Sequence, residues 1–489
     1  MISSFASLDM MRRALSAQQL AISTTGNNIS NANTEGYSRQ RVNLTESNAF
    51  PSPGANAPHI PGQIGTGVDA TTVQRIRDSF ADDQYRAQAN SNGYWSAKSD
   101  SLSQMEDVVN EPSDTGLSTV LNNFWNSLQD LASNPGNDGP KSVVLQNGKT
   151  VADTFNYLSH SLTDIQGNLK EQIDVSTDTI NSIASQINDI NREIGKLEPN
   201  GLVANDLYDQ RDNLVDQLSQ LVNVKVTRVE SGGNASPVAE GKYTIEITDK
   251  SGQGFTPPAT LVDGSHLTFN EMSTTYGGTA ANPTVTVSLN GQTLPGDQMN
   301  GKLQGLIDSY SKDYPEMLTN LDQMAKTFGD AFNAVYKGCA GYDASVGNFF
   351  SDTSSAENFK VNDKLTKANI SAGAVGGAAD DNSIAQKLSD VLKTDKHDFE
   401  GNGQETTLTS YLQGIIGDMG VDAQQANRMT NNTASLMQTA SNNRQSVSGV
   451  SIDEEMVNLI QYQHSYSAAA RVMTTLDEML DTLINRMGV

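Results

Sequence analysis

Asp206, Asp209, Arg211 and Asp212 gather three carboxylates and a guanidinium within seven residues. Carboxylates set close together can run general acid–base chemistry when their surroundings push their pKa values apart. With an arginine inside the run, salt bridging is the better reading. The acidic runs Asp380-Asp381 and Asp453-Glu454-Glu455 read as helix caps and favourable partners of the helix dipole. The five histidines (His59, His160, His266, His397, His464) are scattered, with no pair at a zinc-binding spacing, and Cys339 is the single cysteine. Neither a disulfide framework nor a cysteine-based zinc site can be built from that set. The Gly-Thr-Gly at 65–67 lacks the glycine and Lys-Ser/Thr of a phosphate loop. Asp398-Phe-Glu-Gly-Asn-Gly imitates a calcium loop, but its twelfth position is Thr409 where a bidentate Glu is required. These residues predict no catalytic site, no metal, no cofactor and no enzyme.

The elements that would position such residues are mostly long helices. Met1, Leu8, Leu15, Ile22 and Ile29 recur every seven residues. At the other end Leu459, Tyr462, Tyr466, Ala469, Met473, Leu476, Leu480, Leu483 and Met487 form a 3-4 stripe, the seam of a coiled coil. Ser451 and Glu454 have capping-box spacing, so a helix of roughly 50 Å is predicted over 452–487. Such a helix is marginal alone and needs packing partners: the other terminus, neighbouring copies, or both. A third stripe runs from Leu162 to Leu197 and stops at Glu198-Pro199-Asn200-Gly201. Leu207, Leu214, Leu218 and Leu221 follow, predicting a helical hairpin over 142–223. A fourth stripe, Leu303, Ile307, Tyr310, Tyr314, Met317, Leu321, Met324 and Phe328, contains Pro315, where a kink or break is expected.

Between 224 and 299 the pattern changes to apolar–polar alternation rich in Val and Thr, broken by Gly/Pro/Ser turns. The chain is therefore read as α+β, elongated and multidomain, with paired terminal helices in a coiled coil, a central helical bundle and an inserted β-rich outer domain. The segments are a helix with its loop (1–36), an extended and bundle segment (37–223) and the β-rich domain (224–300). A returning bundle with an irregular insert at 340–400 (301–450) and a final helix (451–489) complete the chain. Its formal charge of -25 argues against nucleic-acid binding, which needs clustered Lys and Arg. No run of about 18 apolar residues predicts membrane insertion. The first residues lack the basic and apolar regions of a cleaved signal.

Residues 26–41, GNNISNANTEGYSRQR, crowd four asparagines beside a Thr-Glu-Gly-Tyr turn. Asparagine side chains compete with helix by bonding nearby backbone, so a shaped loop is predicted around Asn31, Asn33, Gly36 and Tyr37. Gly36 is expected at a positive φ. ISNANTEGYSRQRV (29–42) resembles the N-terminal signature of the bacterial flagellar rod, hook and hook-associated proteins, and its GYSRQ ending lies nearest the hook-associated branch. IGTGVDATTVQRIRDSFADDQYRAQ (64–88), NDLYDQRDNLVDQLSQLVNV (205–224), GKLQGLIDSY (301–310) and the segment 451–488 are similar to the same branch. Where that branch often has a His and a Gly-x-Asp-Leu turn, this chain has Tyr336 and GCAGYDASVGNFF, retaining Phe349 and Phe350.

The resemblance implies a structural protein of the flagellum, outside the cell, exported without signal cleavage and joining hook to filament. Its partners would be copies of itself, the hook protein, the second hook–filament junction protein and an export chaperone. Assembly would run through Leu8, Leu15, Ile22, Ile29, Leu459, Tyr462, Tyr466, Met473, Leu476, Leu480 and Leu483. The candidate chaperone segment is Val472, Met473, Leu476, Leu480, Leu483 and Ile484. A rod or hook subunit is the alternative within the family; a surface enzyme or adhesin on the same termini would need a catalytic cluster or adhesive insert.

Overall fold

The computed structural model describes residues 4–50, 63–109 and 116–485, with side chains to 482. Met1, Met487 and His59 of the patterns above lie outside them, as do the side chains of Leu483 and Ile484. In chain order, helix α1 (Ser4–Ser30) leads to strands β1 (Gln40–Glu46) and β2 (Val68–Arg75), then to helices α2 (Ser79–Val109), α3 (Leu117–Ser133), α4 (Asp138–Leu197) and α5 (Asn205–Leu221). Strands β3 (Val224–Val229), β4 (Lys242–Thr248), β5 (Gly254–Asp263), β6 (Thr268–Phe269), β7 (Met272–Thr279), β8 (Asn282–Leu289) and β9 (Gln292–Leu294) follow. Next come α6 (Lys302–Asp308), a π turn (Ser309–Asp313), α7 (Tyr314–Tyr336), β10 (Phe350–Asp352), β11 (Lys360–Val361) and α8 (Ser383–Lys393). The short strands β12 (Lys396–Asp398) and β13 (Glu405–Thr407) precede α9 (Leu408–Ser448) and α10 (Ile452–Asn485). The fold is mixed α+β. No helix of the described residues is long and apolar enough to cross a membrane.

Two compact units form, one from Met1–Ala89, Ile180–Glu271 and Ala434–Val489, the other from Asn90–Thr179 and Met272–Thr433. In the first, α1 packs along α10 and against the β1–β2 hairpin. The helices run antiparallel, since Asn28 near the end of α1 bonds Glu455 near the start of α10. Tyr243, Ile245 and Ile247 alternate inward along β4, as a strand with one buried face must, and β4 lies inside the antiparallel sheet β3-β4-β5-β6. The β-rich stretch read as a single domain over 224–300 is in fact divided. Strands β7-β8-β9 make a separate antiparallel sheet in the second unit, with Met272, Val287, Leu289 and Leu294 buried. Each sheet buries its own apolar face, which alternation alone does not assign.

The stripe over 162–197 is the buried face of α4, where Leu162, Leu169, Ile173, Ile180, Ile187 and Ile194 are each fully enclosed. Helix α4 ends at Leu197, and a 3-10 turn over Glu198–Asn200 leads through Pro199 to Gly201 with φ +81°, as the turn residues require. In the second unit Phe124, Phe155, Phe328, Phe332, Phe349, Phe350 and Phe359 form a buried aromatic core. Ring centroids lie 4.5 Å apart for Phe350–Phe359 and 5.0 Å for Phe332–Phe349, within the range of favourable aromatic pairs. The break expected at Pro315 takes the form of the π turn just ahead of it, with Pro315 in the first turn of α7.

Candidate functional site

The stretches 75–86 and 205–216, distant in sequence, interlock in the first unit. Asp209, Asp212 and Asp216 are spaced three and four apart on α5, which puts them on one helix face. Arg75 ends β2, Arg77 follows it, and Arg86 lies on α2. Arg75 donates to Asp209 Oδ1 at 2.6 Å, Asp212 Oδ2 at 2.9 Å and Glu240 Oε1 at 2.6 Å. Arg77 grips Asp82 with two bonds of 2.7 and 3.0 Å and stands 3.3 Å from Asp212. Arg86 Nε donates to Asp216 Oδ1 at 2.8 Å. Arg444, near the end of α9, pairs with the other oxygen of Asp216, and its guanidinium lies 3.9 Å from the Tyr85 ring centroid. Arg211 pairs with neither Asp209 nor Asp212 and stands 3.6 Å from Glu240. It turns away to donate to the Gly241 carbonyl at 2.6 Å and to cover the Tyr243 ring at 3.3 Å.

The side chains of Arg75 and Asp212 are 1% and 2% exposed. Burial on its own would raise the Asp212 carboxyl, but Arg77, Arg75, Arg86 and Arg211 outweigh it and hold the group below the ordinary carboxylate range. Asp209 behaves oppositely: burial pushes it up, and Arg75 with the Ser38 bonds offsets that only in part. The three central arginines are likewise penalised by burial, yet the facing carboxylates raise them above their usual value. Guanidiniums do not give up protons in proteins, and these carboxylates direct their oxygens to them. The arrangement is a clamp that fixes the geometry of β2, α2 and α5 against one another.

The asparagine-rich loop is fastened to this clamp. Asn28, buried at the end of α1, donates to Gln40 O at 2.8 Å and to Glu455 Oε2 at 3.0 Å. Its own oxygen accepts from Gln40 N and Tyr37 OH, both at 2.9 Å. Ser38 N donates to Asp209 Oδ2 at 3.2 Å, and Arg39 N to Ser448 O at 2.9 Å. The Arg39 side chain reaches Glu455 at 2.7 Å and Glu454 at 2.9 Å. Ser451 Oγ takes the Glu454 N–H at 3.5 Å, so the predicted capping pair keeps one arm while the Glu454 carboxylate goes to Arg39. Gly36 has φ +77°, and a Cβ there would run into the Asn213 carboxamide on α5. Asn31 bonds Asn27 and Thr34 to close the turn, whereas Asn33 is exposed. Burial, with the Asp209, Asp206 and Glu455 charges, raises the Tyr37 hydroxyl, which keeps it a donor to Asn28. A cleft of about 750 Å³ opens between this loop and the α9–α10 corner, lined in part by Glu35, Arg39, Arg444 and Glu454.

The residues assigned to assembly lie elsewhere. Leu8, Leu15, Ile22 and Ile29 are half-buried, while Ala17, Ala21, Thr24, Thr25 and Asn28 are the enclosed positions of α1. Small side chains let its backbone approach its neighbours, leaving the larger ones at the flanks. On α10, Leu459, Tyr462, Met473, Leu476 and Leu480 are half-buried and Tyr466 is 38% exposed. Met456, Val457, Ile460, Val472 and Met479 stand 44–64% exposed. Sequence reasoning passed over Asn28 and the arginines at 39, 75, 77, 86 and 444. The available signal was the crowding of Arg75, Arg77 and Arg86 in a chain with few basic residues. The calcium-like loop is the turn of the β12–β13 hairpin, and Asp398 accepts from the backbone of Asn402 and Gly403. Among the described residues no three His, Cys, Asp or Glu side chains group as metal ligands.

Residues 102–350 match the family described as the flagellar hook-associated protein FlgK helical domain. Residues 8–37 match the flagella basal body rod proteins, and 441–487 the C-terminal family of flagellar basal body rod FlgEFG proteins. The chain is 46% identical to flagellar hook-associated protein 1 of Bacillus subtilis (strain 168), over 100% of this chain and 99% of that protein. It is 26% identical to that of Escherichia coli (strain K12), over 96% of this chain and 98% of the other. Its fold resembles the flagellar hook junction protein FlgK from Burkholderia pseudomallei with a TM-score of 0.59 at 15% identity, covering 75% of this chain and 100% of the other.

Proposed function

The chain belongs to the flagellar hook-associated protein 1 family, and from that premise we propose that it joins hook to filament, polymerising through its terminal helices. As a family member it is a structural component of the bacterial flagellum and acts outside the cell. The observation that carries the finer reading is the apolar face of α10. Met456, Val457, Ile460, Val472 and Met479 remain at least 44% exposed after α10 has packed on α1. Large apolar side chains left exposed in two groups, Met456–Ile460 and Val472–Met479, fit an interaction surface, and neighbouring copies in an axial array would cover them. The α1–α10 pair then acts as a coiled-coil unit of the array, with the half-buried Leu8, Leu15, Ile22, Ile29, Leu459, Tyr462, Met473, Leu476 and Leu480 tightening on assembly. The clamp sets the direction in which that pair leaves the body. The hook protein and the second junction protein bind the two ends of the array, and the chain is exported without a cleaved signal. Deleting the gene should leave cells with normal hooks, no filaments and flagellin lost to the medium. Absent hooks would move the protein inward to the rod or hook, and intact filaments would exclude the junction.

An export chaperone is assigned to Val472–Ile484, because α10 presents Val472 and Met479 to solvent there before any neighbour arrives. Removing 472–484 is expected to abolish co-purification with the chaperone. An undiminished complex in pull-down would place that contact elsewhere.

A further inference from the structure

Between α6 and α7 the chain winds as a π turn, and four side chains from outside or within the turn hold it in that form. Tyr94 and Lys98 sit one turn apart on α2. Tyr94 OH donates to Asp308 Oδ2 at 3.0 Å, and Lys98 Nζ to Asp313 Oδ1 at 3.3 Å. Five residues apart on an α-helix, Asp308 and Asp313 would diverge by about 140° and could not both face α2. The wider π winding, in which Tyr314 N–H bonds Ser309 O, returns them to one side. Ser309 Oγ steadies Asp313 at 3.1 Å. Gly305 lets α6 come close, since a Cβ there would lie 2.6 Å from the Tyr94 carbonyl oxygen. In this winding Tyr310 O would take its bond from residue 315, but that residue is proline and has no N–H. Gln166 Nε2 from α4 fills the vacancy at 3.0 Å.

We propose that residues 309–315 are a slip joint, a stored extra residue latched in the π register by Tyr94, Lys98 and Gln166. Releasing the latch lets the turn rewind as α-helix against the opposition of Pro315, which would then face the Ser311 carbonyl, and the rewinding rotates α6 against α7 by about 100° and lengthens the pair by ~1.5 Å. The joint gives the second unit a one-residue step of torsional and axial adjustment while the aromatic core holds the rest of α7. π turns of this kind recur at functional sites, and Gln166 is a positioning residue here.

Full-length chains carrying Gln166→Leu, the deletion of Ser311 with Pro315→Ala, or all three changes test the proposal by amide hydrogen exchange. Deleting Ser311 brings Asp308 and Asp313 one α-turn apart, still facing α2, and replacing the proline supplies an N–H that can donate to Tyr310 O. That chain should fold and exchange more slowly over 305–316. Gln166→Leu should speed exchange over 305–316 by about tenfold in the parent, with the rest of the second unit unchanged, and have no effect in the shortened chain. Equal effects of Gln166→Leu in both backgrounds would overturn the slip joint. So would a shortened chain as disrupted as one lacking Gln323 from the body of α7, because a residue stored outside the register is one whose removal the helix tolerates.

Discussion

Asp212→Ala should destabilise the first unit by about 3–5 kcal/mol, the cost of breaking a buried ion pair from one side. Alanine removes the carboxylate that Arg75, Arg77 and Arg86 share, in a site where Asp212 is 2% exposed. The exposed pair Arg192–Asp189 is the internal control, and Asp189→Ala should stay within about 0.5 kcal/mol of the parent. Trp95 and Trp125 both fall in the second unit, so their fluorescence reports the wrong half. Hydrogen exchange along α5 reads the first unit directly, and an Asp212→Ala chain with undiminished protection there would refute the clamp. Acid should produce the same loss more gradually. Because the folded chain holds Asp212 below its ordinary value, the unfolded chain takes up that proton first. The contribution is therefore complete above about pH 4 and falls as pH drops toward the folded value. Asp209, which burial raises, has the opposite sign: its ionisation disfavours the folded state above the ordinary carboxylate pKa. Its presence shallows the acid profile, and Asp209→Asn should steepen it.

Gly36→Val is expected to abolish filament growth while leaving secretion intact. A β-branched residue at φ +77° is a steric outlier costing about 1–2 kcal/mol from backbone geometry alone. The added carbon also collides with Asn213, on the same helix as Asp209 and Asp212. Relief requires the loop to lift off α5, which takes Ser38 N away from Asp209 and slackens the Asn28–Gln40–Glu455 bonds. The two contributions can be separated. Gly36→Asn with Asn213→Gly removes the collision and installs a residue that tolerates the left-handed region, so it should restore filaments. Normal filaments in the Val variant, counted by electron microscopy, would sink the loop's assigned role.

Much of this was legible in the sequence because it depends on local chemistry. The heptads over 162–197 state which face of α4 is buried, Pro199 and Gly201 state where it stops, and Gly36 states its own φ. Resemblance carried the family, which the 46% identical relative bears out. What stayed illegible depends on pairing across distance. Nothing in the spacing of Asp209 and Asp212 says that their arginines come from 75–86, because a charge has no period and Arg211 stood nearer. Alternation in 224–294 marks strands but not which sheet each joins. Asn28 looked like one more loop residue, and only its burial against Glu455 separates it from Asn33, which faces water.

Arg39 and Glu455 are separated by 416 positions, and Arg444 must reach Asp216 across 228. Closing loops of that length costs entropy before any contact offsets it, and contacts of high sequence separation form late. A ribosome delivers the chain N-terminus first, so Glu455 emerges 416 residues after the Arg39 it pairs with. Until α9 and α10 have been made, Asp216 waits for Arg444 and Arg39 for Glu455. The bonds of Arg39 and Asn28 to Glu455 thus act as a late fastening, closed only after everything between the two helices has been made.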